Sequence, residues 1–323
     1  MSYSINDIGN KFYFIIGGNE DIINMKKECK LRQITKEDHE LLLNTSKRFA
    51  SLKGNDVYIY LSSDGIPHEL EIKVKKMLIK RGYFGRLEPG SKNFMWSIYK
   101  MFLREKVTVN HNYLVSNSSS IITDYADGSS IEKIVKKYDQ PPGNVYRVIL
   151  KGYYGIKSSE DIKKILKCEN IPKKYKSVIL PEVKWVNDND VITGADQQKV
   201  QEKATAYEKQ IAQFLDENGI EYYNQEELVK QQEKEYGRAI ATPDFLLKSK
   251  VYLNNCPISW IDAKHSYGGD MHFVKKSLTK QVLRYNKLWG YGALFFSGSF
   301  SNNLKILGAL LITYNADSSN TIT

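Results

Sequence analysis

The chain has 323 residues, 41% of them hydrophobic and 12% aromatic. That is enough length for about two or three domains and too much apolar material for a disordered chain. Its formal charge is +10, from 47 Lys and Arg against 37 Asp and Glu. No apolar run approaches the roughly 20 residues a membrane helix needs. Residues Met1–Glu20 lack the charged region, apolar stretch and cleavage site of a secretory signal. Cys29, Cys168 and Cys256 are too far apart for a disulfide framework or a Cys-x-x-Cys zinc knuckle. The expectation is an intracellular, reduced protein with no membrane contact.

The charge is unevenly placed. From Gln197 onward there are 15 basic and 13 acidic residues, leaving 32 and 24 before it, +2 against +8. A basic excess gathered in one part suggests a polyanion contacted by that part.

In chain order, residues 1–116 form a region without an assigned fold. Within it Asp56–Leu61 predicts a strand, Pro67–Arg81 a helix and Phe94–Leu103 a second helix. Residues 117–190 read as a helical domain that opens on a polar loop, Asn117–Ser120. Ser129 and Glu132 have capping-box spacing, and Ile131, Ile134, Val135 and Tyr138 follow at helical period. Asp139-Gln-Pro-Pro142 breaks that helix, and Pro142 suits the first turn of the next. Two short helices across a tight turn outline a helix-turn-helix, with Arg147 and Lys151 on one face of the second helix, placed to meet a DNA backbone. Another helix and a lysine-rich loop follow over 159–180, and Pro181–Gly194 reads as a connector.

Residues 191–323 read as a third, α/β domain. Val200, Ala204, Tyr207, Ile211 and Leu215 form one apolar helical stripe, with Glu208 at its edge. A short strand at Ile220–Tyr223 and a polar helix from Gln225 to Glu235 follow. Phe245–Leu247 and Ile258–Ile261 are apolar runs, separated by a stretch that reads as a hairpin turning at Asn254-Asn255. Asp244 begins the first run and Asp262 ends the second, with Lys264 two residues on and therefore on the same face. Two carboxylates side by side repel unless a cation stands between them. A helix from Lys275 to Trp289 places Gln281 and Tyr285 on one face, and Gly292–Phe296 and Ile306–Ile312 predict buried strands.

Pro243-Asp244, eighteen residues, and then Asp262-Ala-Lys264 resembles the PD-(D/E)XK nuclease signature. Glu208 is similar to the acidic residue that many such nucleases place on the preceding helix, and Gln281-Val-Leu-Arg-Tyr285 resembles the Q-x-x-x-Y motif of the RecB-like and Cas4-like branches. With Ala241-Thr-Pro-Asp244 included, the stretch from about Ala204 to Tyr314 resembles the TPD-motif family, whose animal members include the codanin-1-interacting nuclease. One departure is Asp262, where the animal relatives carry Glu; either can ligate a metal.

The resemblance implies an α/β, restriction-endonuclease-like carboxyl-terminal domain behind a mainly helical, helix-turn-helix-containing region. It implies a metal-dependent deoxyribonuclease, nuclear if the organism is eukaryotic, with DNA as partner and a codanin-like protein where one exists. Phosphodiester hydrolysis needs an activated water and cancelled charge, which a hard divalent cation supplies. Asp244, Asp262, the Ala263 carbonyl and Glu208 are the expected ligands of Mg2+ (or Mn2+), with no small-molecule cofactor. Lys264 would stand beside the attacking water, and Gln281 and Tyr285 would position the scissile phosphate. His265 and His272 have no partner set for a metal, and Trp260 and Tyr267 read as packing residues. The reading from another class is a non-catalytic DNA-binding or scaffolding protein on a nuclease fold. A third is an RNA-processing nuclease.

If the helix-turn-helix outline holds DNA, the Arg147→Ala, Lys151→Ala double variant should weaken binding and flatten its salt slope by about one to two units. An unchanged slope in a binding titration against salt would remove DNA contact from this helix.

Overall fold

The structure, a computed structural model, describes residues 14–15, 36–81, 94–190, 192 and 197–314. Most of the first twenty residues, Cys29 and the tail from Ala316 lie outside them. The chain divides into two compact units, Met1–Pro67 with Glu202–Thr323, and His68–Gln201. This division differs from boundaries at 116 and 190, because the amino-terminal region is shared between the two.

Strand β1 (Phe14–Ile15), helix α1 (Lys36–Ser51) and strand β2 (Asp56–Ile59) belong to the first unit. The second unit is helical: α2 (His68–Arg81), α3 (Phe94–Val109), α4 (His111–Ser116), α5 (Ser118–Ala126), α6 (Ile131–Tyr138), α7 (Pro142–Gly152), α8 (Ser159–Leu166) and α9 (Lys176–Asn189). Its core gathers Ile121, Ile134, Tyr146, Ile149, Leu150, Ile165, Ile179 and Val183, all essentially without solvent contact.

Three local expectations are corrected here. Ser118–Ser120 begins α5 and is not a loop, because Ile121 is pulled into the core. The cap of α6 is Ser130, whose hydroxyl accepts the Lys133 N–H, while Glu132 pairs with Lys136 at 2.7 Å. A Ser129–Glu132 box therefore does not form. Pro181 lies inside α9 rather than in a connector. Ile179, Val183 and Val186 bury on one side of that helix, and this packing outweighs the backbone bond the proline cannot make. The α7 start draws its cap from far along the chain, the Asp190 carboxylate accepting the Gly143 N–H at 2.6 Å.

The first unit continues with α10 (Gln197–Glu217), β3 (Tyr222–Asn224), α11 (Gln225–Tyr236), β4 (Phe245–Leu253), β5 (Cys256–Lys264), α12 (His272–Trp289), β6 (Gly292–Phe296) and β7 (Ala309–Thr313). The strands form one mixed sheet in the order β1-β2-β4-β5-β6-β7, with β3 also paired to β4. The two apolar runs and the stretch between them form a single hairpin, β4 antiparallel to β5, turning at Asn254 and Asn255. Their φ angles are 49° and 61°, the left-handed pair that a two-residue hairpin turn requires and that asparagine tolerates. Strands β5, β6 and β7 are mutually parallel, so β5 must be joined to β6 by a crossover, which α12 provides. One face of the sheet packs Leu247, Val251, Ile258, Ile261 and Phe295 against Tyr207, Ile211, Phe214 and Leu215 of α10. The other packs Leu246, Trp260, Leu294 and Phe296 against Leu228 of α11 and Leu278, Val282 and Tyr285 of α12. Val200 is 59% exposed and falls outside the stripe expected of it.

Two strands share the outer edge of β4. Antiparallel β3 covers Phe245–Leu247 and parallel β2 covers Lys250–Leu253, with an irregular register between Leu246 and Val251. Arg48 of α1 donates to the Leu247 carbonyl beside that irregularity. Asn254 ties the β2 end to the hairpin turn. Its side chain accepts the Leu61 N–H at 2.9 Å and donates to the Leu61 carbonyl at 2.8 Å, and its own N–H donates to Ile59.

Asn254→Ala should therefore cost about 1–3 kcal/mol, losing two hydrogen bonds and gaining left-handed strain. Hydrogen exchange of the 55–62 segment should quicken more than that of Gly292–Phe296. Asn254→Gly, which avoids the strain but loses the same two side-chain hydrogen bonds, should leave the exchange fast. Protection unchanged in both variants would show that the turn does not hold β2.

Candidate active site

The site is assembled where β4 begins, β5 ends and α12 passes over them. Asp244 stands immediately before β4, and its Oδ2 accepts the Ala263 N–H of β5 at 2.7 Å. That bond places it beside Asp262 across the strand pair. Asp262 is 2% exposed. A carboxylate so far from water needs donors or an opposite charge, and it has both. Gln281 Nε2 donates to Asp262 Oδ1 at 3.0 Å and to the Tyr285 hydroxyl at 2.9 Å. The Tyr285 hydroxyl lies 3.1 Å from the same Oδ1 and 3.2 Å from the Thr242 carbonyl, so its single proton serves one of the two at a time. Lys264 Nζ forms an ion pair with Asp262 Oδ2.

Glu208 on α10 is half-buried. Burial holds its carboxyl above the usual range, the Asp262 charge adds to this, and Lys264 opposes it. Asp244 is pushed up to about 7 by burial and then by the Asp262 and Glu208 charges, against the pull of the Ala263 N–H and Lys264. Burial, with Asp262 adding to it, keeps the Tyr285 hydroxyl far above its ordinary titration range, so it remains a donor.

All six side chains singled out in the carboxyl-terminal sequence thus belong to one electrostatic cluster. Two of them make contacts within the protein that the sequence did not specify. Gln281 and Tyr285 are engaged with Asp262, because the buried carboxylate claims their protons. Tyr285 is itself only 4% exposed. Arg147 and Lys151 lie on α7 in the other unit, Arg147 half-buried and Lys151 exposed. His265 Nδ1 contacts the Ser297 hydroxyl at 3.1 Å. Trp260 is fully buried, donates to the Gly290 carbonyl at 3.0 Å and packs over Gly292, where no Cβ would fit.

A residue that sequence reasoning missed is Gln232 of α11. It is buried, accepts the Ile240 and Ala241 N–H groups at 2.7 and 3.0 Å, and donates to the Ala241 carbonyl. It thereby clamps the segment that enters Thr242-Pro243-Asp244. Nothing in the polar run of α11 distinguishes it from Gln231; only its position four residues after the buried Leu228 hints at an inward face.

Among the described residues no group of three or more His, Cys, Asp and Glu is close enough to hold a metal ion. The donors near Asp262 are nonetheless of one chemical kind. They are carboxylates, Asp244 and Glu208, both held above the usual range by burial and then by the Asp262 charge, and oxygen donors with excess negative charge suit a hard divalent cation such as Mg2+.

Fold and cluster together define a mixed α/β domain whose polar centre is one aspartate just before β4, a second on β5, and a lysine on β5. Residues 176–314 match the family described as "Protein of unknown function TPD sequence-motif", so a domain of that family is present there. Thr242-Pro243-Asp244 is the motif in this chain. An uncharacterized protein of Acanthamoeba polyphaga mimivirus is 28% identical over 114 residues, 34% of this chain and 40% of the relative. The match thus spans less than half of that relative's length. No solved structure matches.

The Asp244 shift gives a stability test in the absence of metal. A carboxyl raised from 3.8 to about 7 keeps a proton in the folded state that the unfolded chain releases. Its contribution is full below about pH 4 and is lost as pH rises through about 7. Asp244→Asn keeps the acceptor for Ala263 but cannot ionise. In EDTA it should melt close to the parent at pH 4 and on the order of 5 °C higher at pH 8. A difference that does not grow with pH would mean that Asp244 is not raised.

Proposed function

We propose that the protein is a metal-dependent nuclease hydrolysing DNA phosphodiester bonds. The observation that carries the reading is the cluster itself: Asp244 and Asp262 side by side across β4 and β5, Lys264 paired with Asp262, Glu208 within their field, and Gln281 and Tyr285 holding Asp262 from α12. The element order supports it. A helix, antiparallel strands, a crossover helix and a parallel strand, with the two aspartates and the lysine at one end of the hairpin, resemble the PD-(D/E)XK arrangement.

Asp244, Asp262, the Ala263 carbonyl and Glu208 would hold Mg2+ or Mn2+. When bound, the cation supplies charge cancellation on the phosphoryl oxygens and lowers the pKa of a water. The chain's own residues do the remaining work. Lys264 keeps a positive charge at the Asp262 carboxylate and faces the point where negative charge grows in the transition state. Gln281 and Tyr285 fix the Asp262 rotamer by donating to Oδ1, leaving Oδ2 turned to Lys264. The Ala263 N–H does the same for Asp244. Gln232, behind the Thr242–Asp244 segment, holds the backbone that carries Asp244. The helical unit, with Arg147 and Lys151, would add affinity for the DNA backbone. By the same resemblance, a codanin-like protein is a partner to test where the organism has one.

The test is cleavage of labelled single-stranded, duplex and flapped DNA and RNA with Mg2+, with Mn2+ and with EDTA. Asp262→Asn and Lys264→Ala should each lower the rate by at least about a hundredfold, a typical loss for a transition-state charge stabiliser, with DNA binding retained. Full cleavage in EDTA, or parental rates in both variants, would overturn the assignment. Retained binding with no cleavage under any condition would instead favour a non-catalytic DNA-binding protein.

A further inference from the structure

The helix that presents Gln281 and Tyr285 to Asp262 has a second face. From His272 to Trp289 it contains Lys275, Lys276, Lys280, Arg284 and Lys287 and no acidic residue. Lys275 is paired with Asp270 at 2.6 Å. Lys276, Lys280, Arg284 and Lys287 are exposed and form no ion pair among the described residues. At 3.6 residues per turn they fall within about 80° of arc and span about 16 Å of helix. A solvent-open groove follows the same row. The opposite side of the helix is occupied: Leu278, Val282 and Tyr285 are buried against the sheet.

Four unneutralised cations in line repel one another, and helix propensity alone has no need of them; like charges at i,i+4 cost a few tenths of a kcal/mol per pair. The ligand that relieves such a row is a linear, repeating anion. A small phosphate ester would meet one or two of the four. An anionic bilayer would need a continuous apolar helix face to enter it; Leu278, Val282 and Tyr285 are buried, and the exposed side of α12 offers Leu283 and Leu288 among its cations.

We propose that the outer face of α12 is a track for a DNA backbone, with Lys276, Lys280, Arg284 and Lys287 binding successive phosphates of the strand that enters the Asp244–Asp262 site. The inference rests on the nuclease reading for what lies at the end of the track. It shifts part of the affinity from the helical unit to the domain that carries the site. The two faces of α12 then divide the labour, the buried one orienting the Asp262 carboxylate and the exposed one placing the substrate. The +2 balance of the carboxyl-terminal part conceals this, because α11 holds four Glu against two Lys while α12 is basic throughout.

The test is binding of fluorescein-labelled duplex and single-stranded DNA to the full chain in EDTA, followed by anisotropy across a salt series. For the Lys276→Gln, Lys280→Gln, Arg284→Gln, Lys287→Gln variant, affinity should fall about a hundredfold at 0.1 M salt. The slope of log affinity on log salt should flatten by about three to four units, near 0.9 for each duplex phosphate that is no longer neutralised. The charge-conserving set Lys276→Arg, Lys280→Arg, Arg284→Lys, Lys287→Arg should bind within a few-fold of the parent. If the quadruple variant does not fold by circular dichroism, the two pairwise variants, Lys276→Gln with Lys280→Gln and Arg284→Gln with Lys287→Gln, should each show about half the slope change. A slope and affinity equal to the parent's in a folded variant would overturn the proposal, as would a charge-conserving set that binds as weakly as the Gln set. Phosphatidylserine vesicles provide the other arm: a loss of vesicle binding without loss of DNA binding would make the face a membrane contact and overturn it. The two readings fail separately. A parent that binds DNA through these four residues but never cleaves would refute the nuclease and keep the track. A parent that cleaves while the variant binds normally would refute the track and keep the nuclease.

Discussion

The interaction on which the site depends is the burial of one charge. Asp262 sits on β5 at 2% exposure, and an ionised carboxylate there would cost several kcal/mol without compensation. Compensation comes from three directions: Gln281 and Tyr285 on α12, and Lys264 further along the same strand. Since both α12 donors must reach one oxygen, the rotation of α12 about its axis is set. That rotation turns Leu278 and Val282 into the sheet and leaves Lys276, Lys280, Arg284 and Lys287 outside. The same register lets Tyr285 touch the Thr242 carbonyl, so the Thr242–Asp244 segment is tied to the same point.

The second aspartate is held differently. Asp244 is carried on backbone rather than locked by side-chain donors. Pro243 stiffens the segment, Gln232 clamps its entrance, and one Ala263 N–H meets the carboxylate. Burial first, and then two carboxylate neighbours, raise its proton affinity. In a like-charged pair with one member firmly compensated and the other not, a cation between them would relieve the repulsion. The same pair is where the unliganded fold gives up stability. Both follow from carboxylates taken out of water, through burial first and mutual repulsion second.

Around this centre the sheet is completed from a distant part of the chain. The outer edge of β4 would otherwise expose unpaired backbone groups. It is covered by β3 for its first half and by β2, nearly 200 residues earlier, for its second. Asn254 secures that arrangement with bonds to Leu61 and Ile59.

The sequence alone determined what local rules can determine. Apolar runs marked β4 and β5, Asn254-Asn255 marked their turn, the 3.6-residue stripe marked α10, Gln281 and Tyr285 marked one face of α12, and Asp262 and Lys264, two apart, fell on one face of β5. Each of these rests on relations between residues one to four positions apart, where backbone geometry fixes the outcome. The structure alone decided the rest. Asp56–Ile59 is a plausible strand from its composition, but no local signal names β4 as its partner. Gln232 is one polar residue among many until the fold brings Ile240 and Ala241 against it. Gln281 and Tyr285 were legible as a pair, yet whether they face a substrate or the carboxylate depends on how deeply Asp262 is buried. Pro181 reads as a helix breaker until Ile179, Val183 and Val186 are seen to pack. The basic row on α12 was present in the sequence but was cancelled by glutamates of α11 when charge was summed over the domain. Only the tertiary structure shows that Lys276, Lys280, Arg284 and Lys287 share one exposed face without ion-pair partners among the described residues, and electrostatics acts through distance rather than through position along the chain.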